Sequence, residues 1–405
     1  ITNQVTNKGT ITSFDNKGNL SGGFVNDNNA TLTKFSNASN LGTLENKGNL
    51  ATLTNTGTLN SASNTGTIAS LDNTKNIGTF SNAGTITNQV TNKGTITSFD
   101  NKGNLSGGFV NDNNATLTKF SNASNLGTLT NKGTLTNITN TGTIASLDNT
   151  KNLGTFTNTG ALTTLSNTGS AGSITNQGII TKQVTNQGTI ANFSNAGTLS
   201  NGLVNNANAT LTNFTNSGNA GSITNKGTLS GSNSGIIANL ANTKNIGTFT
   251  NANGGTITNK VSNEGTIASF DNKGILSGGF VNNANAILTK FSNSNNIGTF
   301  DNQGSLASAE NTGSITNFAN SGTAGNITNK GTLANATNTG TLANLANTKN
   351  IGTLSNTGTL ANLNNTKNIG TLSNTGTLAN ATNTGTITSL DNTKNIGTFS
   401  NAGTI

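Results

Sequence analysis

The stretch TLANLANTKNIGTLSNTGTLANLNNTKNIGTLSN, residues 341–374, contains a nine-residue repeat. Apolar residues recur at nine-residue steps, for example at Leu342 and Ile351. A second apolar residue follows three positions later and an asparagine two positions after that, as at Leu345 and Asn347. The unit can be written Φ-x-x-Φ-x-N-x-G-T, where Φ is an apolar residue.

The same unit runs through the whole chain, and it indicates a folded repeat. The frame yields 43 units, and the sixth position is Asn in 42 of them, with Ser234 as the one exception. All 17 Phe occupy the fourth position. Random low complexity would not place every aromatic residue in one of nine positions. Such a strict period is typical of stacked structural repeats.

The amino-acid composition, taken without the nine-residue repeat, would suggest a disordered chain. The 405 residues are 30% hydrophobic and 8% charged, and they include 82 Asn and 51 Gly. Pro is absent and the net charge is only +8, however, whereas disordered segments are usually rich in Pro and charge. The chain also has no His and no Cys, so it lacks the usual general base, the thiol nucleophile and the main zinc ligands. These absences indicate a protein that is not an enzyme and has no cofactor.

The spacing favours strands over helices. Helical repeats need apolar residues at i, i+3, i+4 and i+7, and they avoid this density of Asn, Thr and Gly. In strands, the fourth, fifth and sixth positions alternate in-out-in, and the ninth, first and second positions alternate out-in-out. The seventh and eighth positions, where Gly is common, form corners. We therefore predict an all-β parallel β-helix of about 43 units, forming one continuous solenoid over residues 1–405.

Stacked coils place identical residues on one another. We predict three units per coil, because nine residues suit one side of a triangular coil; two units per coil is the alternative. The inward asparagines should form a hydrogen-bonded ladder. Its predicted members are Asn46, Asn55, Asn64, Asn73, Asn82, Asn347, Asn356, Asn365, Asn374, Asn383, Asn392 and Asn401. The predicted phenylalanine stack contains Phe14, Phe35, Phe80, Phe99, Phe120, Phe156, Phe249, Phe270, Phe291, Phe300, Phe318 and Phe399.

Extra residues interrupt the frame in two recurring passages. One extra residue separates the two apolar positions at Ile1–Val5, Ile86–Val90, Ile180–Val184 and Ile257–Val261. A longer passage with further insertions recurs at Leu20–Leu32, Leu105–Leu117, Leu199–Leu211 and Leu276–Leu288. We predict that these residues form bulges or longer corners at an edge of the solenoid.

The charged residues do not indicate a catalytic, metal or nucleic-acid site. Nine of the twelve carboxylates occupy the outward fifth position, and only Asp301 and Glu310 stand in adjacent units. The sequence lacks the repeated Asp of calcium-binding β-rolls. Most Lys residues lie at corners, with no Arg and no exposed aromatic residues beside them, which suits a solubilising role better than phosphate binding.

Outward threonines form the most regular surface pattern. Thr-x-Thr triplets occur at 10–12, 31–33, 95–97 and 116–118. Regular Thr-x-Thr rows on a flat solenoid resemble those of ice-binding proteins, although exposed strands favour Thr in any case. Ice binding is therefore an alternative function, and a self-assembling extracellular filament is another.

The repeat also resembles known bacterial surface proteins. Asn356–Leu363 (NTGTLANL) and Asn92–Phe99 (NKGTITSF) are similar to passenger repeats of autotransporters, particularly vacuolating-cytotoxin-like proteins, and to filamentous-haemagglutinin repeats. This resemblance implies type V export, an extracellular or cell-surface location and a structural or adhesive role. The expected partners are surface molecules of host or neighbouring cells, or other copies of the chain. No apolar run approaches the roughly 20 residues of a membrane span. We expect the chain to be a slice of a longer repeat polypeptide.

Overall fold

Short parallel strands form all of the regular structure of this chain. The computed structural model describes residues 1–405 and contains 49 strands and no helix. It divides into two compact units, Ile1–Asn201 and Gly202–Ile405, and each is described separately. Each unit is a parallel β-solenoid with two sheets, which confirms the predicted fold class. One continuous solenoid over residues 1–405 stays a prediction.

The strands of unit 1 are β1 (Val5–Asn7), β2 (Thr10–Asn16), β3 (Phe24–Asn26), β4 (Thr31–Asn37), β5 (Asn40–Asn46), β6 (Asn49–Asn55), β7 (Thr58–Asn64), β8 (Thr67–Asn73), β9 (Asn76–Asn82), β10 (Thr85–Ile86), β11 (Val90–Asn92), β12 (Thr95–Asn101), β13 (Asn104–Leu105), β14 (Phe109–Asn111), β15 (Thr116–Asn122), β16 (Asn125–Asn131), β17 (Thr134–Asn140), β18 (Thr143–Asn149), β19 (Asn152–Asn158), β20 (Ala161–Asn167), β21 (Ser170–Asn176), β22 (Ile179–Ile180), β23 (Val184–Asn186), β24 (Thr189–Asn195) and β25 (Thr198–Leu199).

The strands of unit 2 are β26 (Leu203–Asn205), β27 (Thr210–Asn216), β28 (Asn219–Asn225), β29 (Thr228–Asn233), β30 (Ile236–Asn242), β31 (Asn245–Asn251), β32 (Thr256–Ile257), β33 (Val261–Asn263), β34 (Thr266–Asn272), β35 (Ile275–Leu276), β36 (Phe280–Asn282), β37 (Ile287–Asn293), β38 (Asn296–Asn302), β39 (Ser305–Asn311), β40 (Ser314–Asn320), β41 (Thr323–Asn329), β42 (Thr332–Asn338), β43 (Thr341–Asn347), β44 (Asn350–Asn356), β45 (Thr359–Asn365), β46 (Asn368–Asn374), β47 (Thr377–Asn383), β48 (Thr386–Asn392) and β49 (Ile396–Asn401).

Two nine-residue units make one coil. Strand β43 pairs with β45, so that Leu342 lies beside Leu360, eighteen residues away. The intervening strand β44 pairs with β46 in the other sheet. The prediction of three units per coil is therefore wrong, and the alternative of two is correct.

The strand pairing is interrupted at one position inside the nine-residue unit. Between β43 and β45, the register passes from Leu342 directly to Asn344 and leaves Ala343 outside the pairing. Each unit thus has a bend at its second position as well as the corner at its seventh and eighth positions.

Burial follows the predicted alternation. In β43, Leu342, Leu345 and Asn347 are buried, whereas the residues between them are exposed or half-buried. The same inward positions form the core of both units, with two apolar positions and one asparagine position in most nine-residue units. The first, fourth and sixth positions therefore build the interior, as predicted.

The single exception to the asparagine position disappears in the structure. Strand β29 has six residues instead of seven, and its Gly231 lies beside Phe214. Because the strand is one residue short, Asn233 takes the inward position that the fixed frame assigned to Ser234. Asn233 accepts a hydrogen bond from Asn216 at 2.8 Å and donates one to Asn251 at 2.9 Å. The ladder continues through the deletion.

The insertions form bulges and long corners, as predicted. Between β13 and β14 the chain makes a turn that ends at Gly108, with φ 82°. The following corner places Asn114 at φ 64° and closes with a hydrogen bond from the Ala115 amide to the Asp112 carbonyl at 3.1 Å. Gly and Asn are the residues that adopt this left-handed conformation most readily.

Candidate functional site: internal ladders and outward rows

The inward asparagines form hydrogen-bonded ladders in each sheet of each unit. The Asn347 amide donates to the Asn365 side-chain oxygen at 2.8 Å and to the Asn368 carbonyl at 3.0 Å. Its own oxygen accepts a hydrogen bond from Asn329 at 2.9 Å. Every buried side-chain nitrogen and oxygen in the structure has a hydrogen-bond partner. An aligned amide chain of this kind strengthens each of its bonds by polarisation.

The predicted ladder residues divide between the sheets, because a coil has eighteen residues. In unit 1, Asn46, Asn64 and Asn82 stack in the sheet of β5, β7 and β9, while Asn55 and Asn73 stack in the sheet of β6 and β8. In unit 2, one ladder contains Asn347, Asn365, Asn383 and Asn401. The other contains Asn356, Asn374 and Asn392. Successive ladder members are every second unit of the sequence.

Phenylalanines stack within a sheet and also meet across the core. The rings of Phe80 and Phe120 lie parallel to Phe99, at centroid distances of 5.0 and 5.5 Å. Phe109, from the opposite sheet, meets Phe99 edge-on at 5.0 Å. Offset-stacked and edge-to-face contacts are the favoured arrangements of aromatic rings.

The remaining predicted stack members show where the phenylalanine column is interrupted. Phe249, Phe270 and Phe291 stack in one sheet of unit 2, and Phe300 stacks on Phe318 in the other. Phe14 stacks on Phe35 at 5.3 Å. Phe156 lies between Ile138 and Ile174 in register, and the half-buried Phe399 lies beside Ala381. These last two residues pack on aliphatic neighbours.

The cross-core phenylalanines Phe24, Phe109 and Phe280 were missing from the predicted stack. Each follows a Leu-Ser-Gly-Gly passage, the sequence signal that could have identified them. The Gly-Gly bulge returns the chain to the inward fourth position. There each ring contacts a phenylalanine of the facing sheet: Phe24 contacts Phe14, Phe109 contacts Phe99, and Phe280 contacts Phe270.

A row of outward asparagines lies on the sheet of β41, β43, β45 and β47 in unit 2. Its members are Asn326, Asn344, Asn362 and Asn380, eighteen residues apart. The amides of Asn344, Asn362 and Asn380 each donate to the oxygen of the preceding member, at 2.7, 2.8 and 3.0 Å. An amide has two donors and two acceptor sites, so each side chain keeps hydrogen-bonding capacity toward solvent. The row presents identical polar groups at the coil spacing of about 4.8 Å.

Threonine rows are shorter than the sequence pattern suggested. The triplets starting at Thr95 and Thr116 lie on neighbouring strands β12 and β15, and Thr134–Thr136 of β17 continues the row. The neighbouring strands β9 and β19 begin with Asn76 and Asn152 instead. The row therefore covers three coils. The triplets at 10–12 and 31–33 pair with each other in β2 and β4.

Charged side chains are dispersed over the surface, and some form ion pairs. The adjacent acidic units separate in space, because Asp301 belongs to β38 and Glu310 to β39, in different sheets. Asp301 accepts a hydrogen bond from Gln303 at 2.7 Å. The four ion pairs are Glu45–Lys47, Asp100–Lys102, Asp271–Lys273 and Glu310–Lys330. Exposed pairs of this kind contribute little to stability.

One small, partly open cavity marks a packing gap in unit 2. Its volume is about 10 Å³, and its lining includes Phe291, Ala309 and Ile327. In register, Ala309 stands between Phe291 and Ile327, at the inward position where most other units carry Leu, Ile or Phe. The small side chain of Ala309 leaves this space unfilled.

Replacing Ala309 by leucine should stabilise unit 2 by roughly 1 kcal/mol, because the larger side chain fills the cavity and buries more apolar surface. Urea denaturation of the full chain measures this change. The outward Ala319→Leu substitution in β40 is the control, and it should change the free energy of unfolding by less. Equal effects of the two substitutions would show that the cavity is not the cause.

Comparisons with other proteins supply no further assignment. Protein-family models, curated proteins and solved structures were searched, and none matches this chain. No group of three or more His, Cys, Asp or Glu side chains is placed to hold a metal ion. The structure has no helix long and apolar enough to cross a membrane. The function proposed below rests on the geometry of the chain itself and on the resemblance of its repeats.

Proposed function

We propose that this chain is a non-enzymatic structural and adhesive β-solenoid at the bacterial cell surface. The observation that carries the proposal is the outward row Asn326, Asn344, Asn362 and Asn380, whose amides repeat in register with the coils. The resemblance to autotransporter passenger repeats supports export and surface display. The partner in this proposal is a surface molecule of a host or neighbouring cell.

A repeating row suits a repeating ligand. One hydrogen bond contributes only about 0.5–1.5 kcal/mol to binding. Once the first contact with a repeating ligand has formed, the later contacts are intramolecular, so several weak contacts together give a higher affinity. Asn326, Asn344, Asn362 and Asn380 are neutral, so binding through them should depend little on salt. A neutral polymer rich in hydroxyl groups, such as a cell-surface polysaccharide, has the matching chemistry.

The interior suits a rigid scaffold. The ladders join each coil to the next through side-chain amides as well as backbone bonds, for example between Asn347 and Asn365. The buried polar side chains are all engaged within the fold. Their role in this proposal is to hold the outward rows in register.

Binding of labelled protein to cultured epithelial cells, followed by flow cytometry, tests the adhesive role. We expect saturable binding that unlabelled protein displaces and that added salt leaves largely unchanged. Changing Asn326, Asn344, Asn362 and Asn380 together to serine should weaken it roughly tenfold, about 1.4 kcal/mol. The control changes Asn317 and Asn335, on the other sheet, to serine. No saturable binding by the folded wild-type protein would contradict the adhesive proposal.

Ice binding is the second candidate, and the three-coil threonine row on β12, β15 and β17 favours it. Inhibition of ice recrystallisation is the direct assay. If the row binds ice, Thr116→Asn should reduce inhibition, and Asn already occupies this ninth position in β5 and β9. A folded wild-type sample without inhibition would exclude this candidate.

Other copies of the chain are the remaining candidate partner, in a self-assembling filament. The outward asparagine row offers donors and acceptors that could pair with the same row of a second copy. Sedimentation velocity over a range of protein concentrations would detect such assembly. Association lost in the four-serine variant would favour the filament, and a concentration-independent monomer would exclude it.

A further inference from the structure

A tight turn in unit 2 carries glycine at its third position, where four related turns carry asparagine. In Ala252–Gly255, the Gly255 amide donates to the Ala252 carbonyl at 2.9 Å, and Gly254 has φ 80°. In four other corners the amide of the fourth residue likewise donates to the carbonyl of the first residue. Each of these corners has an asparagine at φ 64–67° in its third position. They are Asp27–Ala30, Asp112–Ala115, Asn206–Ala209 and Asn283–Ala286. Ala252–Gly255 is the copy with glycine there, directly after Asn253.

The Asn253–Gly254 pair is open to solvent. Both residues are exposed, and the Gly254 amide nitrogen makes no hydrogen bond within the protein. A Cβ atom added at Gly254 would lie 3.8 Å from its nearest neighbour, the Ser234 carbonyl oxygen. At Gly274, by contrast, an added Cβ would collide with the backbone of the neighbouring coil. The backbone and the Asn253 side chain therefore have room to move toward each other in this turn.

Ladder asparagines have the opposite environment. The Asn251 amide donates to Asn272 at 2.9 Å, and the following amide, of Ala252, donates to the Asn233 carbonyl at 2.7 Å. The nitrogen that follows a ladder asparagine is thus held away from the side-chain carbon. Asn347 follows the same pattern, because the Thr348 amide donates to the Asn329 carbonyl at 2.8 Å.

We propose that Asn253 is a site of spontaneous deamidation and isoaspartate formation. The Gly254 amide nitrogen attacks the Asn253 side-chain carbonyl carbon, so that a new N–C bond forms and closes a succinimide ring. The C–Nδ2 bond breaks, and ammonia leaves with the proton released by the Gly254 amide. Water then opens the ring at either carbonyl and yields aspartate or isoaspartate. The reaction needs only water, and it places one negative charge on the turn.

The sequence contains one other Asn-Gly pair, Asn201–Gly202. A Cβ atom added at Gly202 would collide with the Ser222 carbonyl oxygen, so this glycine is closely packed against β28. Close packing restricts the ring closure that the reaction needs. Asn201 should therefore react more slowly than Asn253.

Peptide mapping after incubation in mildly alkaline buffer tests the proposal on the full chain. Trypsin cleaves after Lys244 and Lys260 and so isolates Asn253 from Asn201. Methylation by an isoaspartyl methyltransferase identifies the isoaspartate product. We expect Asn253 to react roughly tenfold or more faster than Asn28 or Asn113, because only glycine leaves the attacking nitrogen unhindered. The ladder asparagines should remain unchanged.

Two variants use residues that occur naturally in the related turns. Gly254→Asn gives the third position the residue found at Asn29 and Asn114, and it should slow the reaction at Asn253 roughly tenfold. The introduced asparagine itself precedes Gly255, so fragment-ion mapping must assign the modified residue within the peptide. Asn253→Ala matches Ala207 and Ala284, and it should abolish the reaction. Circular dichroism checks that both variants fold. The proposal is overturned if Asn253 stays intact while a free peptide of residues 249–258 converts. It is also overturned if Asn201 or a ladder asparagine converts as fast.

Discussion

Replacing Asn347 by aspartate should destabilise unit 2 by about 3–5 kcal/mol at neutral pH. Asn347 donates its side-chain amide to Asn365 and accepts from Asn329. An ionised carboxylate can accept but cannot donate, so an oxygen would face the Asn365 oxygen in a buried site. The substitution therefore combines a buried charge with a broken amide chain, and each is costly.

The destabilisation should depend on pH. Burial raises the pKa of the introduced carboxyl above its unfolded value of about 3.9. The folded state then binds more protons than the unfolded state, so stability falls as pH rises from about 4 to the raised pKa. Below pH 4 or so the neutral carboxyl regains a donor, and most of the loss should disappear. Urea denaturation at several pH values measures this profile.

Asn344→Asp is the matched control for the ladder substitution. Asn344 lies three residues earlier in the same strand and hydrogen-bonds Asn326 and Asn362 on the outward face. Water solvates an introduced charge at this position, so the stability should change by only about 0.5 kcal/mol. Equal effects of the two substitutions would contradict a stabilising role for the internal ladder.

Phe99→Ala should cost about 3–5 kcal/mol of the stability of unit 1. The Phe99 ring is fully buried and contacts Phe80, Phe109 and Phe120 at 5.0–5.5 Å. Removing it leaves a cavity between parallel rings that the neighbouring coils hold apart. Phe99→Leu is the control, because Leu fills the fourth position in many other units, and it should cost roughly 1 kcal/mol. Thermal and urea denaturation measure both variants.

A small loss in the alanine variant would contradict the assigned packing. Hydrogen exchange gives an independent measurement, because a solenoid coil depends mainly on its nearest neighbours. The amides of β9, β12 and β15 should lose protection first in Phe99→Ala. Protection lost evenly over all coils of unit 1 would exclude this local account.

The sequence was sufficient to predict which residues face the core. Leu345 and Asn347 alternate on one side of the strand, and the interruption of the pairing at Ala343 brings Leu342 to the same side. The number of units per coil could not be predicted in this way. The bend at the second position has no fixed residue: it is Ala343 in one strand and Gly352 in the next. A bend that no particular residue type marks cannot be predicted from the sequence.

The outward features depended on the coil length and were therefore missed. Asn326 and Asn344 become neighbours only when a coil has eighteen residues. The same coil length separates Asp301 from Glu310, which are adjacent in the repeat but lie in different sheets. Ser234 falls at the sixth position of a strict nine-residue frame, because that frame takes no account of the one-residue deletion in β29. The hydrogen bonds of the ladder instead select Asn233 after a one-residue deletion.

Cysteine cross-linking tests the two-unit coil most directly, because the natural chain has no cysteine. Cysteines at positions 344 and 362, eighteen residues apart, should lie about 5 Å apart between Cα atoms and form a disulfide on mild oxidation. Cysteines at positions 344 and 371, twenty-seven residues apart, should not, because Asn344 and Thr371 lie in different sheets. A disulfide between 344 and 371, with none between 344 and 362, would contradict the coil described for this protein.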